Sequence, residues 1–167
     1  MPDRATPVRI GRWRIDITVR DGVDLPIPRI RLGRAIARAA EAGGASAPGT
    51  VGLVLTDDDE LAELNLAHLG EPGPTDVLSF PMAPADPSFR GPPGRRPHLG
   101  DLAVSVERAI AQARDGRGGQ TGDVHWAAGD ELLLLVTHGT LHLCGLDHAE
   151  PADEAAMRAL EHELLRT

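Results

Sequence analysis

Lysine and tyrosine are absent from this chain of 167 residues, and all 17 basic side chains are arginine. That bias points to a GC-rich coding sequence more than to a physical requirement of the fold. Cysteine occurs once, at Cys144, which excludes an internal disulfide framework and is compatible with a reducing cytosol. No apolar run approaches the roughly eighteen residues of a membrane span, so no membrane partner is expected. The opening stretch MPDRATPVRIGRWR has charges where a secretory signal has its apolar segment, and the expectation is a cytoplasmic protein. A basic excess is missing too. The formal net charge is −8, whereas phosphate binding normally shows as a basic surface. The distribution softens that argument: residues 1–40 carry nine arginines against four acids, and residues 41–167 carry eight against twenty-one. Such asymmetry marks either an interaction surface or a solvated basic strand and helix, and charge alone does not choose.

What is present suffices for one folded domain, with 41% hydrophobic residues to supply a core. Residues 8–20 alternate apolar and polar with period two and read as one half-buried strand. Pro28 opens a helical segment to about Ala42, which Gly43-Gly44 stops. Residues 51–55 form a short apolar strand. Thr56 is the expected N-cap of a following helix, with Asp57, Asp58 and Asp59 at the positive end of its dipole. Residues 75–81 read as a strand stopped by Pro81, residues 82–98 as a proline-rich loop, and residues 99–106 as another strand. A helix to about Arg114 and a glycine-rich turn over 116–122 lead to a helix from about Ala127. A last helix runs from about Ala152 to Leu165. The expectation is a single compact α+β domain over residues 1–167, with a small, about four-stranded mixed sheet packed with helices.

The informative stretch is ELLLLVTHGTLHLCGLDH, residues 131–148. His138 and His142 are four apart, about 400° of helix rotation, so both rings leave one face a turn apart. Gly145 stands where a glycine ends a helix in a left-handed turn, and His148 beyond it can fold back. Three neutral imidazoles at one point give one Zn²⁺ three ligands and an open fourth position, which is compatible with catalysis. One histidine on an apolar face is usually a packed core residue; three at ligand spacing are better explained by metal. Cys144, about 200° round the helix from His142, faces away and reads as a small packed hydrophobe. His68, His98, His125 and His162 read as surface residues. The spacing H-x-x-x-H-x-x-G-x-x-H is also that of the metzincin proteases, whose general base is a Glu immediately after the first His. Gly139 occupies that position and cannot accept a proton, so the protease chemistry lacks its base.

These residues resemble the YbeY endoribonuclease family. Its signature HGxLHLxGxDH is matched by His138, Gly139, Leu141, His142, Leu143, Gly145, Asp147 and His148. Leu64-Asn65, then Pro74 to Pro81 (PTDVLSFP), and Leu99-Gly100-Asp101 resemble further family segments, and Met157 and Glu161 fit its final helix. The resemblance implies a single-strand-specific, zinc-dependent endoribonuclease that matures the 3′ end of small-subunit ribosomal RNA and serves ribosome quality control. It implies ribosomal RNA and the small ribosomal subunit as partners. His138, His142 and His148 carry over as the metal ligands. Asp147 and Asp101 are candidates for the proton acceptor, each equally open to a structural role. Leu69 stands where many family members have an arginine suited to phosphate, a task Arg95 or Arg96 would have to take over. Two other readings stay open: a non-catalytic, zinc-containing ribosome-assembly factor, and a zinc hydrolase of a peptide or ester.

Overall fold

A computed structural model describes residues 4–82, 96–115, 126–146 and 150–166. Five strands form one mixed sheet in the order β1-β2-β3-β5-β4. They are β1 (Thr6–Ile10), β2 (Trp13–Val19), β3 (Gly49–Thr56), β4 (Val77–Pro81) and β5 (His98–Ser105). The inner pairs β2–β3 and β3–β5 are parallel, and the two edges, β1 and β4, run antiparallel to their neighbours. Five helices accompany them: α1 (Arg29–Ala42), α2 (Asp58–Leu69), α3 (Val106–Arg114), α4 (Ala128–Leu143) and α5 (Pro151–Leu165). The α+β class is as expected. The strand count is five rather than four, because residues 8–20 hold a hairpin and not one strand. Gly11, at φ +58°, turns the chain so that Ile10 pairs with Trp13. Among common residues, only glycine enters that region at no steric cost.

The pleat sorts the sheet's side chains between two faces. Ile15, Ile17, Val51, Leu53, Leu55, Leu102 and Val104 point to one face, where they meet Leu32, Ile36 and Ala40 of α1 and Leu132, Leu135 and Val136 of α4. The opposite face is covered at its β5–β4 end by α2, where Leu61 and Leu64 pack on Leu78, Phe80 and Ala103. Helix α2 starts one residue later than expected. Asp57 is the N-cap, accepting from the Glu60 amide at 3.0 Å, and the Thr56 hydroxyl donates to the Glu60 side chain instead. Helix α5 closes the domain through a separate cluster in which Met157, Leu160 and Leu164 meet Ala39 of α1 and Leu141 of α4. Helix α4 is thus enclosed by the sheet, α1, α3 and α5, which accounts for its nearly unbroken leucine run. No helix among the described residues is long and apolar enough to cross a membrane.

Candidate metal centre

His138 and His142 stand in the last two turns of α4. The residues around them fix that helix closely. Leu132, Leu135 and Val136 are at most 3% exposed, each contributing about 1.5–3 kcal/mol of burial. That outweighs the ~1 kcal/mol cost of a mid-helix glycine at Gly139. The glycine has a steric reason. A Cβ at position 139 would lie 2.9 Å from a Leu102 methyl, 3.1 Å from the Ser79 hydroxyl and 3.1 Å from a Val77 methyl. The Ser79 hydroxyl donates to the Gly139 carbonyl at 2.9 Å, fastening α4 to edge strand β4. The position occupied by the protease base in metzincins therefore faces the sheet here, with no room for a side chain.

The ring pair is convergent. Nε2 of His142 and Nε2 of His138 are 3.0 Å apart, with ring centroids at 4.5 Å and planes inclined by 78°. On the far side of His138, Nδ1 stands 2.5 Å from Oε1 of Glu161 on α5. Glu161 is only 7% exposed and shares its helix face with the buried Met157. A buried carboxylate at that distance accepts a hydrogen bond from Nδ1–H, the tautomer that leaves the lone pair on Nε2, aimed at the second ring. Two Nε2 atoms bound to one tetrahedral zinc at ~2.0–2.1 Å lie roughly 3.3 Å apart, so the observed pair needs little adjustment to share an ion. Two convergent imidazole nitrogens are donors of the type a borderline-soft divalent metal takes, and among the described residues no third His, Cys, Asp or Glu joins them.

After Leu143 the helix ends as the sequence requires. Gly145 adopts φ +92°, its amide donates to the His142 carbonyl at 3.0 Å, and the Leu146 amide donates to Leu141 at 3.1 Å. Leu146 then packs into the α4–α5 cluster. His148 and Asp147 lie outside the described residues, as do Arg95 and His125. Cys144 packs away from the histidines, against the end of α1, with Sγ 3.6 Å from the Ala40 carbonyl. Burial pushes its thiol above the usual range.

Asp101 is not brought to the histidines. Its neighbours Gly100 and Leu102 face α4, meeting Leu143 and the Gly139 position, so the pleat sends Asp101 to the opposite face of the sheet. There it accepts from or faces His98 at 3.1 Å, while the other ring nitrogen of His98 is 2.7 Å from the Thr50 hydroxyl. A register shift between Thr50 and Val51 puts His98 and Asp101 on one face despite their odd spacing. The upstream segments have structural work. Asn65, 5% exposed, donates to the Gly73 carbonyl at 3.1 Å and ties the turn before β4 to α2. Asp76 accepts from the Val77 amide at 2.8 Å. Leu69, the last residue of α2, is 61% exposed, and Arg96 donates to the Arg12 carbonyl. The residue that sequence reasoning left without a role is Glu161. Its signal was present: a lone acid on the apolar Met157, Leu160, Leu164 side of α5.

Residues 30–167 match the family described as Endoribonuclease YbeY. An endoribonuclease YbeY from Roseiflexus sp. (strain RS-1) is 48% identical over 120 residues, covering 71% of this chain and 70% of that protein. One from Thermobifida fusca (strain YX) is 38% identical over 154 residues, covering 90% of this chain and 91% of its own length. A protein from Thermotoga maritima, solved in solution, superposes with a TM-score of 0.55 at 25% identity, covering 90% of this chain and 86% of its own.

Proposed function

Because the chain belongs to the YbeY endoribonuclease family, we propose that it is a zinc-dependent, single-strand-specific endoribonuclease acting in small-subunit ribosomal RNA 3′-end maturation and ribosome quality control. The supporting observation is the convergence of His138 and His142 at 3.0 Å with Glu161 behind the first ring. His138 and His142 would hold the ion, with His148 as third ligand after the Gly145 turn. Zinc, when bound, supplies Lewis-acid stabilisation of charge developing on a phosphodiester.

The chain's own residues do the rest. Glu161 keeps the Nδ1 proton on His138 and fixes the ring's orientation. The Ser79–Gly139 bond and the packing of Leu102 hold α4 at a set distance from the sheet. Asp147, beside the third ligand, is the proton acceptor in this reading, and Asp101 has no part because its carboxylate lies across the sheet. Ribosomal RNA in the small subunit is the substrate and the cytoplasm the compartment.

The test is chelation. Purified metal-loaded protein should cleave single-stranded ribosomal RNA, lose that activity on removal of the metal and regain it on addition of zinc. Persistent binding to small ribosomal subunits with no cleavage under any metal would favour an assembly factor instead.

A further inference from the structure

The basic excess of the first forty residues resolves into two kinds of arginine. Arg14 is paired with Asp16 at 2.9 Å and Arg20 with Glu60 at 2.9 Å, so their charges are locally answered. Arg31 and Arg34 on α1 are exposed, and their side chains have no hydrogen bond or ion pair among the described residues. With Arg38, at spacings of three and four, they form a ridge along one side of the helix. That ridge is one wall of a cavity of about 170 Å³, whose floor includes Leu133, Thr137 and Leu165. A cavity of this size falls below the ~300–1,000 Å³ of pockets that enclose a whole small ligand, and it suits a single group. Its wall carries cations and its floor is largely apolar.

The cavity and the histidine site draw on the same two helices, α4 and α5. On α4, Leu133 and Thr137 precede His138 by five residues and one, and on α5, Leu165 follows Glu161 by four. At 1.5 Å per residue these offsets are roughly 2–8 Å along either axis. We infer that the cavity between α1, α4 and α5 is a second RNA subsite, which holds a backbone phosphate of the single strand away from the cleaved bond. Arg31 and Arg34 supply its charge. Guanidinium groups meet phosphate oxygens with a bidentate fork. In a chain of net charge −8, a concentrated cationic wall also gives a polyanion one preferred line of approach. The inference takes the identity of its anion from the endoribonuclease reading, whereas the cavity and its charge stand without it.

The test is equilibrium binding of a fluorescent single-stranded RNA oligonucleotide, by anisotropy over a range of salt concentrations. It compares metal-loaded wild type, R31A/R34A and R31K/R34K. The double alanine variant should bind at least tenfold more weakly, and its salt slope should be shallower by about 0.7, the value for one lost phosphate contact on a single strand. The lysine variant should keep the slope while losing part of the affinity. Unchanged thermal unfolding would show that both exposed sites tolerate alanine. Equal affinity and slope for wild type and R31A/R34A would overturn the subsite. A wild type that binds but cleaves nothing would contradict the nuclease reading alone, and one that binds no RNA would contradict both.

Discussion

Glu161 and His138, 23 positions apart in sequence, are joined across two helices, with the carboxylate Oε1 2.5 Å from the imidazole Nδ1. This contact couples the closing helix of the domain to the histidine site, so packing of α5 and the donor geometry of α4 depend on each other. Removing such an outer partner of a metal-binding histidine typically costs 10–100-fold in metal affinity. Glu161→Ala should therefore lower zinc affinity by that factor, measured by competition with a chromophoric chelator. Glu161→Gln retains an oxygen acceptor and should lose less. Equal affinity in all three proteins would mean the carboxylate does not orient the ligand.

Gly139 tests how closely α4 must approach the sheet. Alanine there gains about 1 kcal/mol in helix propensity, but overpacking against Leu102, Val77 and the pinned Ser79 hydroxyl costs about 1–3 kcal/mol. The steric cost should win. Gly139→Ala should lower the unfolding midpoint by a few degrees and weaken zinc binding, as α4 is pushed outward. A midpoint raised above wild type would show that the sheet yields readily and that the glycine has another cause.

Acid should act on the other end of the domain. Glu60 accepts from Arg20 through both carboxylate oxygens, at 3.0 and 2.9 Å, and from Thr56 at 2.6 Å. Chiefly through the Arg20 hydrogen bonds, and in spite of partial burial, its carboxyl is held below the ordinary value of 4.5. The folded chain thus releases this proton more readily than the unfolded chain. The resulting stability is complete above the unfolded value and is lost as pH falls through the folded one. Both side chains are partly solvated, so the effect belongs with exposed pairs, at about 1 kcal/mol or less. Glu60→Gln should unfold a few degrees lower than wild type at neutral pH, with the gap closing in acid. A gap independent of pH would assign the loss to packing rather than charge.

Much of this was legible in the sequence, for physical reasons that differ from element to element. The i, i+4 histidines, the leucine run before them and Gly145 each encode a local requirement, so α4 and its end could be read directly. The hairpin was missed although its signal was there. Val8 and Ile10 lie on one phase of the alternation and Trp13, Ile15 and Ile17 on the other, and the phase slips at Gly11, where φ is +58°. Asp101 was drawn towards the site by sequence motif alone. Its face of the sheet depends on strand pairing and on the irregularity near Thr50, which no single segment announces. Glu161 and the Arg31–Arg34 ridge are of the same kind, since their importance arises only when distant helices pack together.

RNA cleavage is expected to depend on a metal held by the histidine pair. His142→Ala tests it most directly, with bound zinc and cleavage of single-stranded ribosomal RNA measured on the same preparation. Losing one imidazole leaves too few ligands to hold zinc well, so metal content and cleavage should collapse together while the fold, followed by circular dichroism, is retained. Wild-type cleavage by a His142→Ala protein that contains no zinc would contradict the account.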